Sequence, residues 1–154
     1  MLGNAIAVCA IVTLLAGCAT MPATGHPPQS LPQHYTQFDV KLAWDVNATP
    51  ATTVIEGVAQ NLRYSSMEGL EIWVSALDPA GRTLGRAADI TLPRRLDRND
   101  STSFRVVLPI AAPPGSTLLF TYKYLGFDGG GSDEGGVAWM QSFERVIPKG
   151  AGLR

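Results

Sequence analysis

The sequence predicts a single all-β domain, built as an antiparallel sandwich of seven strands. Apolar and polar residues alternate over several stretches between residues 36 and 148, which is the period of a half-buried strand. These stretches follow one another at intervals of about 8 to 16 residues, and none of them has the 3.6-residue period of an amphipathic helix. The 16 glycines and 11 prolines among 154 residues favour short elements joined by tight turns.

The first predicted strand is FDVKLAWDV, residues 38–46, in which every second residue starting from Phe38 is apolar. Asp39, Lys41 and Asp45 occupy the alternate positions. Because successive side chains of a strand point to opposite faces, we expect Phe38 to face the core and Asp39 to face solvent.

The second predicted strand, TTVIEGVAQN at residues 52–61, has two possible inward faces. Val54 and Val58 lie on one face. Ile55 and Ala59 lie on the other face and also suit a core. The sequence alone therefore leaves the orientation of this strand open.

A β-hairpin is predicted next, starting with the alternating segment LEIWVSALD at residues 70–78. The DPAG sequence places Asp78 at the first turn position, Pro79 at the second and Gly81 at the fourth. A type I turn favours each of these residues at that position. We therefore expect residues 82–92 to return as the partner strand.

Three more alternating segments complete the seven strands. They are SFRVVLP at 103–109, STLLFTYKY at 116–124 and VAWMQSFERV at 137–146. A domain over residues 36–148, roughly 113 residues, buries close to two-thirds of its unfolded surface and can fold without disulfide bonds. This agrees with the cysteines, both of which lie in the first 18 residues.

The segment from the second strand through the hairpin resembles FxLYD-type immunoglobulin-like domains. In that family a strand reaching G-x-V-x-N is followed by a polar link, an alternating strand and D-x-x-G. Gly57, Val58 and Asn61 correspond to the first part, with Val58 directly after the glycine, and Asp78 and Gly81 to the second. The resemblance implies an immunoglobulin/fibronectin-like sandwich of the bacterial envelope, and it implies no catalytic residue.

An apolar run, AIAVCAIVTLLA at residues 5–16, precedes the domain. Its length of about 12 residues is too short for a helix that crosses a bilayer and suits the apolar region of a secretory signal. The run leads into LAGC, residues 15–18, which resembles the lipobox of bacterial lipoproteins. That resemblance implies a signal helix within residues 1–17 that is removed, and a lipid on Cys18.

The expected anchor determines where the protein works. Acyl chains on Cys18 contribute about 0.8 kcal/mol per buried CH₂, so they would hold the chain on a membrane. By resemblance to lipoprotein sorting rules, Ala19 after the cysteine implies the outer membrane, with the domain facing the periplasm. Proline-rich residues 18–35 would form an extended tether, and residues 149–154 a C-terminal tail.

One candidate binding segment is the loop GFDGGGSDEGG, residues 126–136. Its carboxylates, Asp128, Asp133 and Glu134, are ligands of the kind that calcium prefers, although their spacing fits no EF-hand loop. Three interpretations remain open: a flexible, solubilising hairpin loop, a contact with a protein or small ligand, and a metal site.

A second candidate binding segment is PRRLDRND, which carries Arg94, Arg95 and Arg98. Three guanidinium groups could bind phosphate or carboxylate groups of lipid or cell wall. Asp97 and Asp100, interleaved with them, are the alternative partners in a solvated loop.

Catalysis is not expected. The two histidines of the chain, His26 and His34, fall in the predicted tether, so Ser132 in GGSDE has no obvious base in the domain. We expect no cofactor other than the covalent lipid on Cys18. The net charge of −1 offers no basic surface for nucleic acid, so nucleic acid is not an expected partner.

We therefore expect a membrane-anchored, non-catalytic lipoprotein module that binds or assembles with an envelope protein. Its contacts would be made by loops or by strand addition at a sheet edge. The alternative is binding of a small ligand or metal ion through the loop at 126–136. A hydrolase that depends on Ser132 is the least favoured hypothesis.

Overall fold

The computed structural model describes residues 30–127 and 135–148, which form two antiparallel β-sheets packed around one apolar core. No α-helix occurs in these residues. The all-β sandwich predicted from the sequence is confirmed, but nine strands are present in the described ranges instead of seven. The signal helix expected within residues 1–17 lies outside these ranges. The strands are β1 Gln33–Thr36, β2 Val40–Ala48, β3 Thr53–Asn61, β4 Ser66–Leu77, β5 Thr83–Ile90, β6 Arg95–Leu96, β7 Ser101–Leu108, β8 Thr117–Phe127 and β9 Val137–Val146.

The nine strands divide into two sheets. Sheet A has the order β1-β2-β3-β7, and sheet B has the order β5-β4-β8-β9 with β6 paired to the start of β4. The strands that sequence analysis missed are β1, with four residues, and β6, with two. Both are too short for an alternation of apolar residues to be recognised. Because β1 begins at Gln33, the sheet starts before the predicted boundary at residue 36.

The start of the first predicted strand is wrong. β2 begins at Val40, and the chain bends at Phe38 and Asp39, where the N–H of Gln37 donates to the carbonyl of Val40 at 2.9 Å. Phe38 is 58% exposed and Asp39 is fully buried, the reverse of the prediction. From Val40 onward the predicted alternation is present.

The neighbouring strands β2 and β7 show which face of β3 is directed toward the core. Gly57 lies opposite Trp44 on one side and Phe104 on the other. A Cβ on Gly57 would come within 2.6 Å of the Phe104 ring, so this face of the strand is packed against core side chains. Ile55 and Ala59 share that face and are fully buried, whereas the competing valines point outward.

The predicted hairpin is confirmed. The N–H of Gly81 donates to the carbonyl of Asp78 at 2.9 Å, which closes the turn between β4 and β5. One carboxylate oxygen of Asp78 also accepts from the N–H groups of Ala80 and Arg82, each at 2.9 Å. These bonds, above all those from Arg82, hold the pKa of Asp78 below its usual value.

The core between the sheets contains the side chains that alternation placed there. Phe120 contacts both Trp44, with ring centroids 4.8 Å apart, and Phe143, at 5.0 Å. The inward residues of β7 and β8 are buried as predicted: Phe104, Val106, Leu108, Leu118, Phe120, Tyr122 and Tyr124.

The two flanks of the sandwich are built differently. On one flank β5 and β7 meet, and the N–H of Arg105 donates to the Asp89 carboxylate at 2.8 Å. The side chain of Arg105 also pairs with Glu56 at 2.7 Å. On the other flank β1 and β9 are neighbours, and Tyr35 stacks on Phe143 with ring centroids 3.6 Å apart.

Candidate functional site

Exposed apolar side chains concentrate at one end of the sandwich. This end, called the loop end below, contains residues 37–39, 62–65 and 91–100 and the start of β9. Tyr64, at its tip, is 86% exposed. The exposed large apolar residues on this half of the described chain are Phe38, Tyr64, Ile90, Leu92, Leu125, Val137 and Met140.

A groove of about 550 Å³ continues this surface onto the outer face of sheet B. It is called the sheet B groove below. Residues of four adjacent strands lie across it in register, so the groove is set by the sheet itself. Its apolar members are Ile90, Leu125, Ala138 and Met140. Glu68 and Arg94 form a charged rim, and the charged side chains of Glu71 and Lys123 lie between Ile90 and Met140.

A β-bulge forms the floor of the groove. The pairing of β4 with β8 is interrupted between Glu68 and Glu71, and Gly69 there has a φ of +63°. A Cβ built on Gly69 would meet no atom within 4 Å, so the backbone at this point borders open space. The N–H of Gly69 donates to the carbonyl of Arg94 at 2.7 Å, which fixes the rim beside the bulge. Bulges often occur next to functional sites.

The charged side chains of the groove do not all form ion pairs. Lys123 pairs with Glu71 at 2.9 Å, and Arg95 lies 3.7 Å from Glu68. The hydrogen bond from Lys123, followed by that from Trp73, lowers the pKa of Glu71. Among the described residues no carboxylate forms an ion pair with Arg94.

Trp73 lies beside the groove and faces outward from β4. The guanidinium of Arg86 stacks over its ring at 4.4 Å from the centroid, and the ammonium of Lys123 approaches to 5.3 Å. Its indole N–H donates to Glu71 at 2.8 Å. These cation–π and hydrogen-bond partners account for a tryptophan on this outer face, as sheet-face packing.

The three arginines proposed as a binding cluster have different surroundings. Arg95 pairs with Asp97 at 3.1 Å, as the interleaved aspartates suggested. Arg98 instead stacks on Tyr64, 3.7 Å from its ring centroid. Arg94 lines the sheet B groove. The three guanidinium groups therefore have different contacts, and a shared binding role for them stays a prediction.

Other predicted site residues fall outside the described ranges. These are Cys18 and the acidic residues Asp128, Asp133 and Glu134. Within residues 30–127 and 135–148, no group of three or more histidine, cysteine or acidic side chains is placed to hold a metal ion. The same ranges contain no helix that is long and apolar enough to cross a membrane.

Sequence analysis missed a buried polar cluster at the loop end. The hydroxyls of Tyr122 and Tyr124 donate to the two carboxylate oxygens of Asp39, at 2.9 and 2.8 Å. Burial, reinforced by Asp39, raises the pKa of Tyr122 and raises that of Tyr124 to about 12, against an opposing effect of Arg63. Both hydroxyls thus stay protonated near neutral pH and act as donors. The two inward tyrosines were the available signal, because a buried hydroxyl needs an acceptor.

A second cavity, of about 650 Å³, lies on the outer face of sheet A. The first described residues of the chain, 30–32, line it together with Asp45, Asn47 and Glu56. Glu56 is held by Arg105, as described above. The N-terminal segment of the domain therefore lies against sheet A, away from the sheet B groove.

Comparison with known proteins identifies the fold. No protein-family model matches the chain, and a search of curated proteins found no match. Among solved structures, the GAE domain of GGA2p from Saccharomyces cerevisiae is similar, with a TM-score of 0.52 and 11% sequence identity. The match covers 75% of this chain and 96% of that domain. At this identity the likeness shows the fold alone, an immunoglobulin-like β-sandwich.

Proposed function

We propose that this protein is a lipid-anchored, non-catalytic module that binds a protein partner in the bacterial envelope. The anchor is the lipid on Cys18 that the LAGC motif implies, in the outer membrane with the domain facing the periplasm. The binding element is the sheet B groove of an FxLYD-like sandwich. The groove is the observation that supports this function most directly.

The groove has the composition of a contact surface. Met140 is 68% exposed and Ile90 55%, and they lie at the two ends of one register row across sheet B, with the Glu71–Lys123 ion pair between them. Exposed apolar side chains interspersed with charged groups are typical of a protein contact surface, because exposing them to water is unfavourable. The open bulge at Gly69 gives an incoming side chain room to enter.

The positive charge of Arg94 indicates what kind of partner the groove would bind. Because Arg94 has no ion pair among the described residues, it is available to an incoming anion. A carboxylate bound there would form a charge-assisted hydrogen bond with the guanidinium. The partner is therefore a protein segment that carries an aliphatic side chain next to an acidic one.

The position of the N-terminal segment agrees with this function. Residues 30–32 lie on the outer face of sheet A, and the groove lies on the outer face of sheet B. A chain held by Cys18 would thus approach the membrane with sheet A and present the groove to the periplasm.

Site-specific photo-crosslinking in the native host tests the proposal. A photoreactive phenylalanine analogue replaces Leu125 in the groove or Ser103 on the outer face of sheet A, in the full-length chain. We expect Leu125 to yield one reproducible adduct with a different protein, and Ser103 to yield none.

Two variants show whether this adduct depends on the groove. We expect Arg94→Glu and Met140→Asp each to remove it, and Lys41→Glu, on the outer face of sheet A, to leave it intact. Absence of a hetero-adduct at Leu125, or the same adduct at Ser103, would refute the proposed function.

A further inference from the structure

We propose that two copies of this protein pair through strand β9, antiparallel, with a two-fold axis at Ser142. The two sheets B then form one continuous sheet. The argument from the tether rests on the proposed lipid anchor, whereas the argument from the strand edge does not.

The edge of β9 is suited to pairing. All ten residues of β9 pair with β8 without a register shift. The strand contains no proline, and no described strand hydrogen-bonds to its other edge. Natural proteins usually protect such edges with bulges, prolines or coverage by other elements. The flank carries Tyr35 of β1 against Phe143 and an inward-pointing Arg145, but the backbone groups on this edge pair with no described strand and are available to a further strand.

Backbone hydrogen bonds to β8 alternate along β9. This alternation shows which residues of β9 direct their N–H and C=O groups toward the open edge. The N–H of Ile147, just after β9, donates to the carbonyl of Ser116 at 2.9 Å. In an antiparallel pair, residues bonded to the neighbour alternate with residues whose N–H and C=O point away from it. The outward-bonding residues are therefore Ala138, Met140, Ser142, Glu144 and Val146. The hydroxyls of Thr121 and Ser142 are 2.8 Å apart, which agrees with this phase.

Pairing centred on Ser142 gives compatible neighbours. On the outer face, Ala138 would lie opposite Val146, which is 59% exposed in the single chain. On the inner face, Arg145 would lie opposite Trp139, so this row brings no two like charges together. A two-fold axis at Glu144 or Arg145 would instead place two identical charges directly opposite each other, which is destabilising. The charges on this edge therefore permit a second copy and favour a register near its middle.

The tether explains why the partner is a second copy and why it binds at this edge. A two-fold axis perpendicular to sheet B leaves the sheets A of both copies on the same side. Residues 30–32 lie on the outer face of sheet A, so the described part of both chains begins on that side of the pair. The 11 residues between Cys18 and Ser30 span roughly 35 Å when extended. Both lipids can then enter one membrane.

The alternative dimer, with the two sheet B grooves face to face, would direct the two sheets A in opposite directions. Its tethers would leave on opposite sides, which a single membrane disfavours. In the edge-paired dimer, the two grooves lie side by side on the surface that faces away from the membrane. The partner of the proposed function would then meet two grooves at once.

Disulfide crosslinking of the full-length protein in the host membrane tests the pairing. Ser142→Cys places two thiols at the two-fold axis, where mild oxidation should join them. We expect most of this variant to run at twice the monomer mass. The matched variant Ser103→Cys, an exposed serine on sheet A, should remain monomeric.

A second substitution makes the test specific for edge pairing. Glu144→Pro removes an N–H that points to the open edge, so the β8 ladder is kept, and Glu144 lies outside the sheet B groove. Added to Ser142→Cys, it should abolish the crosslink while leaving the melting temperature within a few degrees. Equal crosslinking of the two cysteine variants, or a crosslink that survives Glu144→Pro, would overturn the dimer. The hetero-adduct at Leu125 is measured separately, so failure of the dimer and failure of partner binding are distinguishable.

Discussion

The two outer faces of the sandwich differ in what they leave exposed. On sheet A, Glu56 and Arg105 are paired, and residues 30–32 lie over polar strand residues. On sheet B, apolar side chains such as Met140 are exposed around a bulge. One fold therefore presents a face that its N-terminal segment partly covers, and on the opposite face a groove with exposed apolar side chains. The difference is the basis of our proposal that attachment and recognition use opposite sheets.

One glycine in each sheet illustrates the same contrast. Gly57 in sheet A has no room for a side chain, because a Cβ there would collide with the Ala43 carbonyl and the Phe104 ring. Gly69 in sheet B has ample room, and it is a glycine because its backbone is left-handed. Close packing requires a glycine at position 57, whereas a left-handed backbone conformation favours a glycine at position 69.

The largest expected effect comes from Gly57→Val, which would break sheet A. The new side chain overlaps backbone as well as a ring, so neighbouring strands must separate. We expect a loss of about 3 kcal/mol in the free energy of unfolding. Chemical denaturation measures this loss, and Val58→Ile on the outer face is the control, with an expected change of about 0.5 kcal/mol or less. A loss as small as that of the control would contradict the packing argument.

A somewhat smaller effect is expected from Asp39→Ala, which acts on both sheets. It leaves two buried tyrosine hydroxyls without their acceptor, at a cost of about 2 to 3 kcal/mol. Asp45→Ala, at a partly exposed position on sheet A, is the matched control. If thermal and chemical denaturation give the two variants the same loss of stability, the buried cluster does not stabilise the fold as described.

The smallest effect on stability is expected from Gly69→Ala in sheet B. An alanine with positive φ is strained, and the loss should be about 1 kcal/mol. The variant should stay folded but narrow the sheet B groove, so the Leu125 photo-adduct should decrease. An unchanged adduct yield at the expected stability would show that the bulge is not part of the binding surface.

Much of the fold was predictable because it depends on local periodicity. The alternation in β7 and β8 correctly placed their inward side chains, and the DPAG turn fixed the hairpin. The error at Phe38 and Asp39 has a tertiary cause. The acceptor for Tyr122 and Tyr124 comes from a residue more than 80 positions earlier in the sequence, which no local pattern reveals.

The candidate site was less predictable than the fold. The sheet B groove depends on a bulge at Gly69 and on strands that are distant in sequence. Arg94 was named as a binding candidate, but its separation from Arg95 and Arg98 follows from β6, a two-residue strand. The functions expected for Cys18 and for Asp128, Asp133 and Glu134 stay predictions.

The bond between Asp89 and the N–H of Arg105 has a consequence for stoichiometry. Copies joined through one flank could continue through a second open flank into an endless ribbon. Here the carboxylate of Asp89 in β5 accepts a hydrogen bond from the N–H of Arg105 on the edge of β7. This bond holds β5 against β7. Growth would therefore stop once the β9 edges have met. In the proposed dimer, this aspartate would help to limit assembly to a closed pair of two copies.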